Sequence, residues 1–485
     1  MSPSTSTFGK IKPSTYKSLG VRPAINCAGT YTTWSGSRMI DVAAEAMVEA
    51  TNGYVAISEL MEKVGQRLAD ITGAEWGYVA SSCAGAINNV VAAAITGGDP
   101  EKMLRLPDTT GMKNEILEEA CLRSGYEPVI QITGAHVITV ETETDMRAAI
   151  NERTALIMID GDSGSRSKIG VERMIAIGNE YGIPVFVDAA AQRVTVPNPY
   201  LKMGADAVAF SGGKCLRGPQ STGLVLGKKN LVWAAFMNSA PHGTQARGAK
   251  VGKEEIMSLL AAVEAFVLGR DHDAEWKMWE GFLETIRVAV ADLPSIRTEI
   301  EQPGICNVTP YLLVHWDSAV IGATPQLIQS TLSEGEPRIL VNGMADGLRF
   351  NPYMLEAGEA EIIAKRLREL LTNPPKAAPV PPVLPAAVDI SGDWTLQIQF
   401  LTSTATHTMH VQQKGAELSG TYRSQYDRSE IKGSVAGKTA TFRVTFTVGM
   451  FHPGYEFTGT MEGDTLSGTA SVGQEWPVKW SAKRS

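Results

Sequence analysis

The chain has few cysteines, few aromatic residues and no long apolar or basic runs, and each shortage removes a class of protein. Its 485 residues hold five cysteines, Cys27, Cys83, Cys121, Cys215 and Cys306, widely scattered and without a C-x-x-C pair. That spacing offers neither a disulfide framework nor a metal site and fits the reduced thiols of a cytoplasmic protein. No apolar stretch is long and unbroken enough to span a bilayer, and the first twenty residues, rich in Ser, Thr and Lys, contain no signal-peptide core. The expected location is therefore the cytoplasm, with no membrane partner. With 44 Lys+Arg against 52 Asp+Glu the net charge is −8, and no basic run tracks a phosphate backbone, so nucleic acid is not an expected partner. What is present is ordinary globular composition, at a length that accommodates two or three domains.

Proline divides the chain. Between residues 373 and 388, Pro374, Pro375, Pro379, Pro381, Pro382 and Pro385 alternate with Ala and Val, a composition that resists helix and reads as a stiff linker. Before it, short apolar runs (Trp76–Ala80, and residues 155–160, 184–189, 206–210 and 222–226) alternate with helical stretches, the pattern of a mostly parallel sheet wrapped by helices. The expected order is an N-terminal arm (1–20), a large α/β domain (21–273) and a small α+β subdomain (274–372). After the linker (373–388), residues 389–485 read as short Thr-rich strands separated by Gly or Asp turns, an antiparallel sandwich or barrel.

Two motifs carry the chemistry. Val185-Phe-Val-Asp188 is a buried strand that delivers a carboxylate at its C-terminal end, where open α/β sheets build ligand sites. Further on, Ala209-Phe-Ser211-Gly-Gly-Lys214 places a lysine after another apolar run, on a glycine-rich loop. A pyridoxal phosphate (PLP) enzyme needs this pair: an unprotonated lysine to bond the cofactor aldehyde and a carboxylate to hold the pyridine nitrogen protonated. The phosphate needs N–H donors, and Ser81-Ser82-Cys83-Ala84-Gly85, between a strand and a small-residue helix, offers a helix N-terminus. Taken singly, each motif also reads as a structural carboxylate, a solvated turn or a simple cap.

Several segments resemble a known family. They are Arg22-Pro-Ala-Ile-Asn26-Cys-Ala-Gly29, Glu59-Leu-Met-Glu-Lys-Val-Gly65, Leu106-Pro-Asp-Thr-Thr-Gly-Met-Lys113-Asn114, Ser211-Gly-Gly-Lys214-Cys-Leu-Arg217-Gly-Pro-Gln220 and Lys250-Val-Gly-Lys-Glu-Glu-Ile256. Together they are similar to the fold-type I PLP-dependent enzymes related to selenocysteine synthase, nearest the D-glucosaminate-6-phosphate ammonia-lyase branch, over residues 16–371. The resemblance implies the fold-type I transferase fold, Lys214 as the cofactor lysine, Asp188 as the pyridine-nitrogen partner, Ser82, Cys83 and Ala84 around the phosphate, and a homodimer or larger. The acidic chain and the balanced charge of its appended domain argue against a tRNA substrate and for a small amino acid.

Second-tier candidates each carry a plainer alternative. Ser211 lies beside Lys214 in the expected cofactor site. Arg349, in Gly347-Leu-Arg-Phe, is positioned to fork a substrate carboxylate or to sit on a surface strand. Arg217 reaches the cofactor or substrate, or braces its own loop. His136 stacks on the pyridine ring or is a loop histidine; His242 and Arg247 reach a neighbouring subunit's site or are solvated. Lys113 and Asn114 resemble family positions near the site or lie on a solvated loop; Asp160, Asp162 and Ser165 follow a strand end, where one of them hydrogen-bonds the cofactor's ring oxygen or all belong to a plain turn. His407 and His410, three apart on a strand, face opposite sides and share no metal. The expected reaction is α,β-elimination of a β-hydroxy amino acid to a keto acid and ammonia. Racemisation, aldol cleavage and a degenerate binding protein are the alternatives.

Overall fold

The computed structural model describes residues 13–376, 384–446, 454–473 and 476–485. The start of the N-terminal arm and the middle of the Pro-rich linker lie outside these residues. The chain forms two compact units, 1–377 and 378–485.

The first unit holds two sheets. The larger has seven strands in the order Trp76–Ala80, Gly223–Gly227, Ala207–Ser211, Val185–Asp188, Thr154–Asp160, Glu115–Glu119, His136–Val140. Only Gly223–Gly227 runs against the others. Its central strands are buried on both faces, which is why 155–160 and 185–188 read as continuous apolar runs rather than alternating ones. Helices Cys83–Thr96, Val171–Tyr181 and Lys253–Glu264 contribute to the same core.

The smaller sheet has five strands, in the order Ala24–Cys27, Arg338–Gly343, Gly347–Phe350, Tyr311–His315, Arg297–Glu301. Helices His272–Val290 and Glu359–Thr372 cover it through Leu283, Ile286, Ile363 and Leu367. Here the structure corrects one boundary. Ala24–Cys27, expected in the large domain, pairs in parallel with Arg338–Gly343, burying Ile25 and Cys27 in the small core. Its partner lies more than 300 residues away, beyond the reach of local pattern.

The second unit is a closed eight-stranded barrel of sequential antiparallel strands from Gly392–Gln399 to Val478–Arg484, which pair with each other and close it. Strict alternation drives this: Trp394, Leu396 and Ile398 face inward and their neighbours outward. Gly437 and Gly463 take φ of 58° in the tight hairpin turns, a conformation that favours glycine. His407 is buried against the Tyr422 hydroxyl, while His410 faces outward and pairs with Asp393, as the strand spacing requires.

Candidate active site

The register of the large sheet gathers the chemistry at one edge. Ala80 and Ser211 each lie opposite Gly223, and Asp160 lies opposite Asp188. The turns leaving this edge carry Ser82, Asp162 and Lys214. The Lys214 loop is pinned by Gly212 N–H to Thr222 O (2.9 Å), Gly218 N–H to Gly212 O (2.8 Å) and Ser37 N–H to Gly213 O (3.0 Å). These bonds hold the lysine on a fixed backbone, as a group that must meet one reacting atom requires.

Asp188 is buried, and its Oδ1 accepts two hydrogen bonds, from the Cys83 thiol (3.1 Å) and from Ala190 N–H (3.1 Å). Burial, with Asp162 and Asp160 adding like charge, pushes its carboxyl up to about 7; the Cys83 hydrogen bond and the Lys214 charge pull the other way. Asp162 is raised as well, chiefly by burial and against the pull of Lys214. Its Oδ2 accepts from Ala191 N–H, and its buried Oδ1 has no partner. Three carboxyls around one lysine leave the site short of positive charge, the deficit that a protonated pyridine nitrogen at Asp188 would relieve.

Helix Cys83–Thr96 brings its N-terminus to the same edge. Ser82 caps it by accepting Gly85 N–H (3.0 Å), with a strained φ of 104°. The N–H groups of Cys83 and Ala84 precede the first intrahelical bond and stay available for a phosphate. Gly223 closes on this turn so tightly that an added Cβ would lie 2.4 Å from Ser82 O and 2.8 Å from Cys83 N, so only glycine fits. A cavity of about 640 Å³ runs over these groups, lined by Ser82, Cys83, Ala84, Asp188, Ser211 and Lys214. Helix N–H groups at one end, and a buried acid with a lysine beside it at the other, fit PLP.

The other expected site residues fall elsewhere. His136 begins its strand instead of ending it, so it is exposed at the opposite edge of the sheet, and the ring-stacking role is corrected. Lys113 and Asn114 precede their strand and share that edge. Arg217 has its Nε–H on Arg38 O (3.0 Å) and its Nη2 3.5 Å from Glu356, so it braces the lysine loop instead of lining the cavity. His242 holds Ser239 O through Nδ1 and meets Phe236 edge-on, a packing role within its own turn. Arg349 lies on the small sheet, 3.0 Å from Glu301 and 3.7 Å over the Tyr311 ring. Arg247 is exposed.

Sequence reasoning missed Tyr126, the aromatic that does line the cavity, and gave no role to Thr30, Thr32, Ser35 and Gln220 on its wall. Tyr126 follows the strand Glu115–Glu119 at its C-terminal end. An aromatic on the segment that leaves the strand's C-terminal end, beyond the turn Ala120–Leu122, was the available signal.

Comparisons with known proteins agree with this geometry. The family described as Cys/Met metabolism PLP-dependent enzyme matches residues 16–259, half of the chain. A D-glucosaminate-6-phosphate ammonia lyase of Salmonella typhimurium is 28% identical over 372 residues, covering 74% of this chain and 98% of that protein. A 5'-C-glycyluridine monooxygenase-decarboxylase of a Streptomyces species is also 28% identical, over 74% of this chain and 92% of its own length. An L-seryl-tRNA(Sec) selenium transferase of Aquifex aeolicus is 24% identical, over 67% and 78%. Among solved structures, a D-glucosaminate-6-phosphate ammonia-lyase superposes with a TM-score of 0.67 at 26% identity, covering 74% of this chain and 99% of that one. The fold, the cofactor and the family resemblance read from sequence all hold: the chain belongs to the Cys/Met metabolism family of PLP-dependent enzymes.

Proposed function

We propose that the protein is a PLP-dependent lyase acting on a small amino acid with a β-hydroxyl. The substrate loses its α-proton and its hydroxyl, water leaves, and a second water is taken up as ammonia and a keto acid are released. The observation that carries this reading is the convergence of Lys214, Asp188 and the Cys83–Thr96 helix N-terminus on one cavity. The fold around it is shared with almost the whole of a solved ammonia-lyase.

When bound, PLP supplies an electron sink for the substrate's α-carbon. The chain's residues do the rest in this reading. The Cys83 and Ala84 N–H groups and Ser82 hold the phosphate, and Asp188 keeps the ring nitrogen protonated. Lys214 Nζ anchors the cofactor and, once displaced by substrate, accepts the α-proton. Tyr126, Thr30, Thr32, Ser35 and Gln220 bound the substrate space. Lys214 is the one cation among the described residues lining this cavity, so the substrate carboxylate needs another. We assign that part to Arg349, released from Glu301; Arg247 of a second subunit in a homodimer is the competing source. A cytoplasmic location belongs to the same reading; all five cysteines are free, and no described helix is long and apolar enough to cross a membrane.

The test is product analysis of the holoenzyme with D-glucosaminate 6-phosphate, serine and threonine. Ammonia and a keto acid in equal amounts are expected from at least one of them. Racemised amino acid, or glycine with an aldehyde, without ammonia would replace the lyase by a racemase or aldolase. Oxygen uptake with carbon dioxide release would instead favour chemistry like that named for the Streptomyces relative.

A further inference from the structure

One contact in the cavity is required by neither the fold nor the proposed reaction, and the inference drawn from it rests on Asp188 being the ring-nitrogen partner. The Cys83 thiol and the Ala190 N–H both donate to Asp188 Oδ1, each at 3.1 Å. Oδ2 has no hydrogen-bond partner among the described residues, and Asp188 lines the cavity. Two donors on one oxygen fix the carboxyl plane and leave the other oxygen for the ring nitrogen. Of the two, the backbone donor is available to any sequence, whereas the thiol is particular to a cysteine at the first position of this helix.

We infer that Cys83 is a positioning residue: its S–H orients Asp188 and holds it as a carboxylate, so that the pairing with the pyridine nitrogen survives in a site crowded with acids. The groups facing Asp188 are Cys83 from the helix, Asp160 from the neighbouring strand, Asp162 from the turn after it, and Lys214 from the lysine loop. Burial and the two aspartates drive Asp188 toward its neutral form, while Cys83 and Lys214 oppose them. Lys214 is committed to the cofactor in the resting enzyme, which leaves the thiol as the side-chain donor. Burial keeps that thiol protonated, with its pKa raised well above the ordinary value, so it stays a donor.

The experiment compares the parent with Cys83→Ala, Cys83→Ser and Asp188→Ala, reading PLP binding by the apoprotein and loss of the near-visible cofactor band on acidification. The expected result is at least roughly tenfold weaker PLP binding in Cys83→Ala, the loss that one hydrogen bond to a charged group implies. Its band should be lost at a higher pH than the parent's, because Asp188 then protonates sooner. Cys83→Ser, which keeps a donor, should restore most of both. Parent-like binding and acid profile in Cys83→Ala, with Asp188→Ala impaired, would overturn the inference alone; so would equal impairment of the Ala and Ser variants. Parent-like binding in Asp188→Ala would overturn the underlying assignment of Asp188.

Discussion

The two compact units bury their polar groups in opposite ways. The α/β unit buries Glu115, Glu118, Glu119, Glu127 and Asp188, whereas the barrel buries no carboxylate among its described residues, only His407 and Ser429. Glu118 and Asp188 share one side of the large sheet, because Ile116 lies opposite Leu156, Met158 opposite Phe186 and Asp160 opposite Asp188. A barrel filled by Trp394, Tyr422, Phe457 and Trp480 gains stability chiefly from apolar burial. The large sheet gives up stability to bury acids, and one of them, Asp188, lines the cavity. The contrast locates the chemistry in the first unit, and each of the following experiments presses on it.

The largest effect is expected from Lys214→Ala, which should cut turnover by on the order of a thousandfold or more, since the proton acceptor is gone. Parent-like turnover would break the contrast at its centre. Trp394→Ala is the counterpart in the barrel: deleting a fully buried indole should cost about 3–5 kcal/mol, seen as a lower melting transition, while the cofactor band stays. Loss of the band along with that transition would mean that the units are not energetically separate.

Glu118 sharpens the comparison through pH. Burial, with Glu127 adding like charge, pushes it up to about 8. The folded protein therefore holds a proton that the unfolded chain releases near pH 4.5, so stability falls as pH rises from there to about 8. Glu118→Gln should remove that slope and raise stability above pH 8, by on the order of a few kcal/mol at most. A denaturant titration at pH 6 and pH 9 reads it; an unchanged slope would show that Glu118 ionises at its ordinary pH. A smaller effect, about a tenfold rise in KM with little change in kcat, is expected for Arg349→Gln as the carboxylate fork goes. If Arg247→Ala raises KM instead, the cation comes from the second subunit.

Much of this was legible because it depends on local pattern. The runs at Trp76–Ala80 and 155–160, the helix Val171–Tyr181 and the barrel strands were visible in alternation and turn residues. The meeting of Asp188 and Lys214 at one cavity was legible because both lie at the ends of apolar runs that finish at the same sheet edge. What failed depends on strand direction and distant pairing. His136 and Asp188 both border an apolar run, and only the parallel order shows that one begins a strand while the other ends it. Arg349 was read as a carboxylate fork or a surface-strand residue, and its pairing with Glu301 comes through strands that sequence does not align. Cys83 was read as part of the phosphate cradle, and its contact with Asp188, 105 residues away, has no local signature.

The account turns on Lys214 bonding the cofactor, and the most direct measurement is borohydride reduction of the PLP-loaded protein followed by peptide mass mapping. The predicted result is a single pyridoxyl label, on the peptide carrying Lys214. A label on another lysine, or none after PLP has been added in excess, would contradict it.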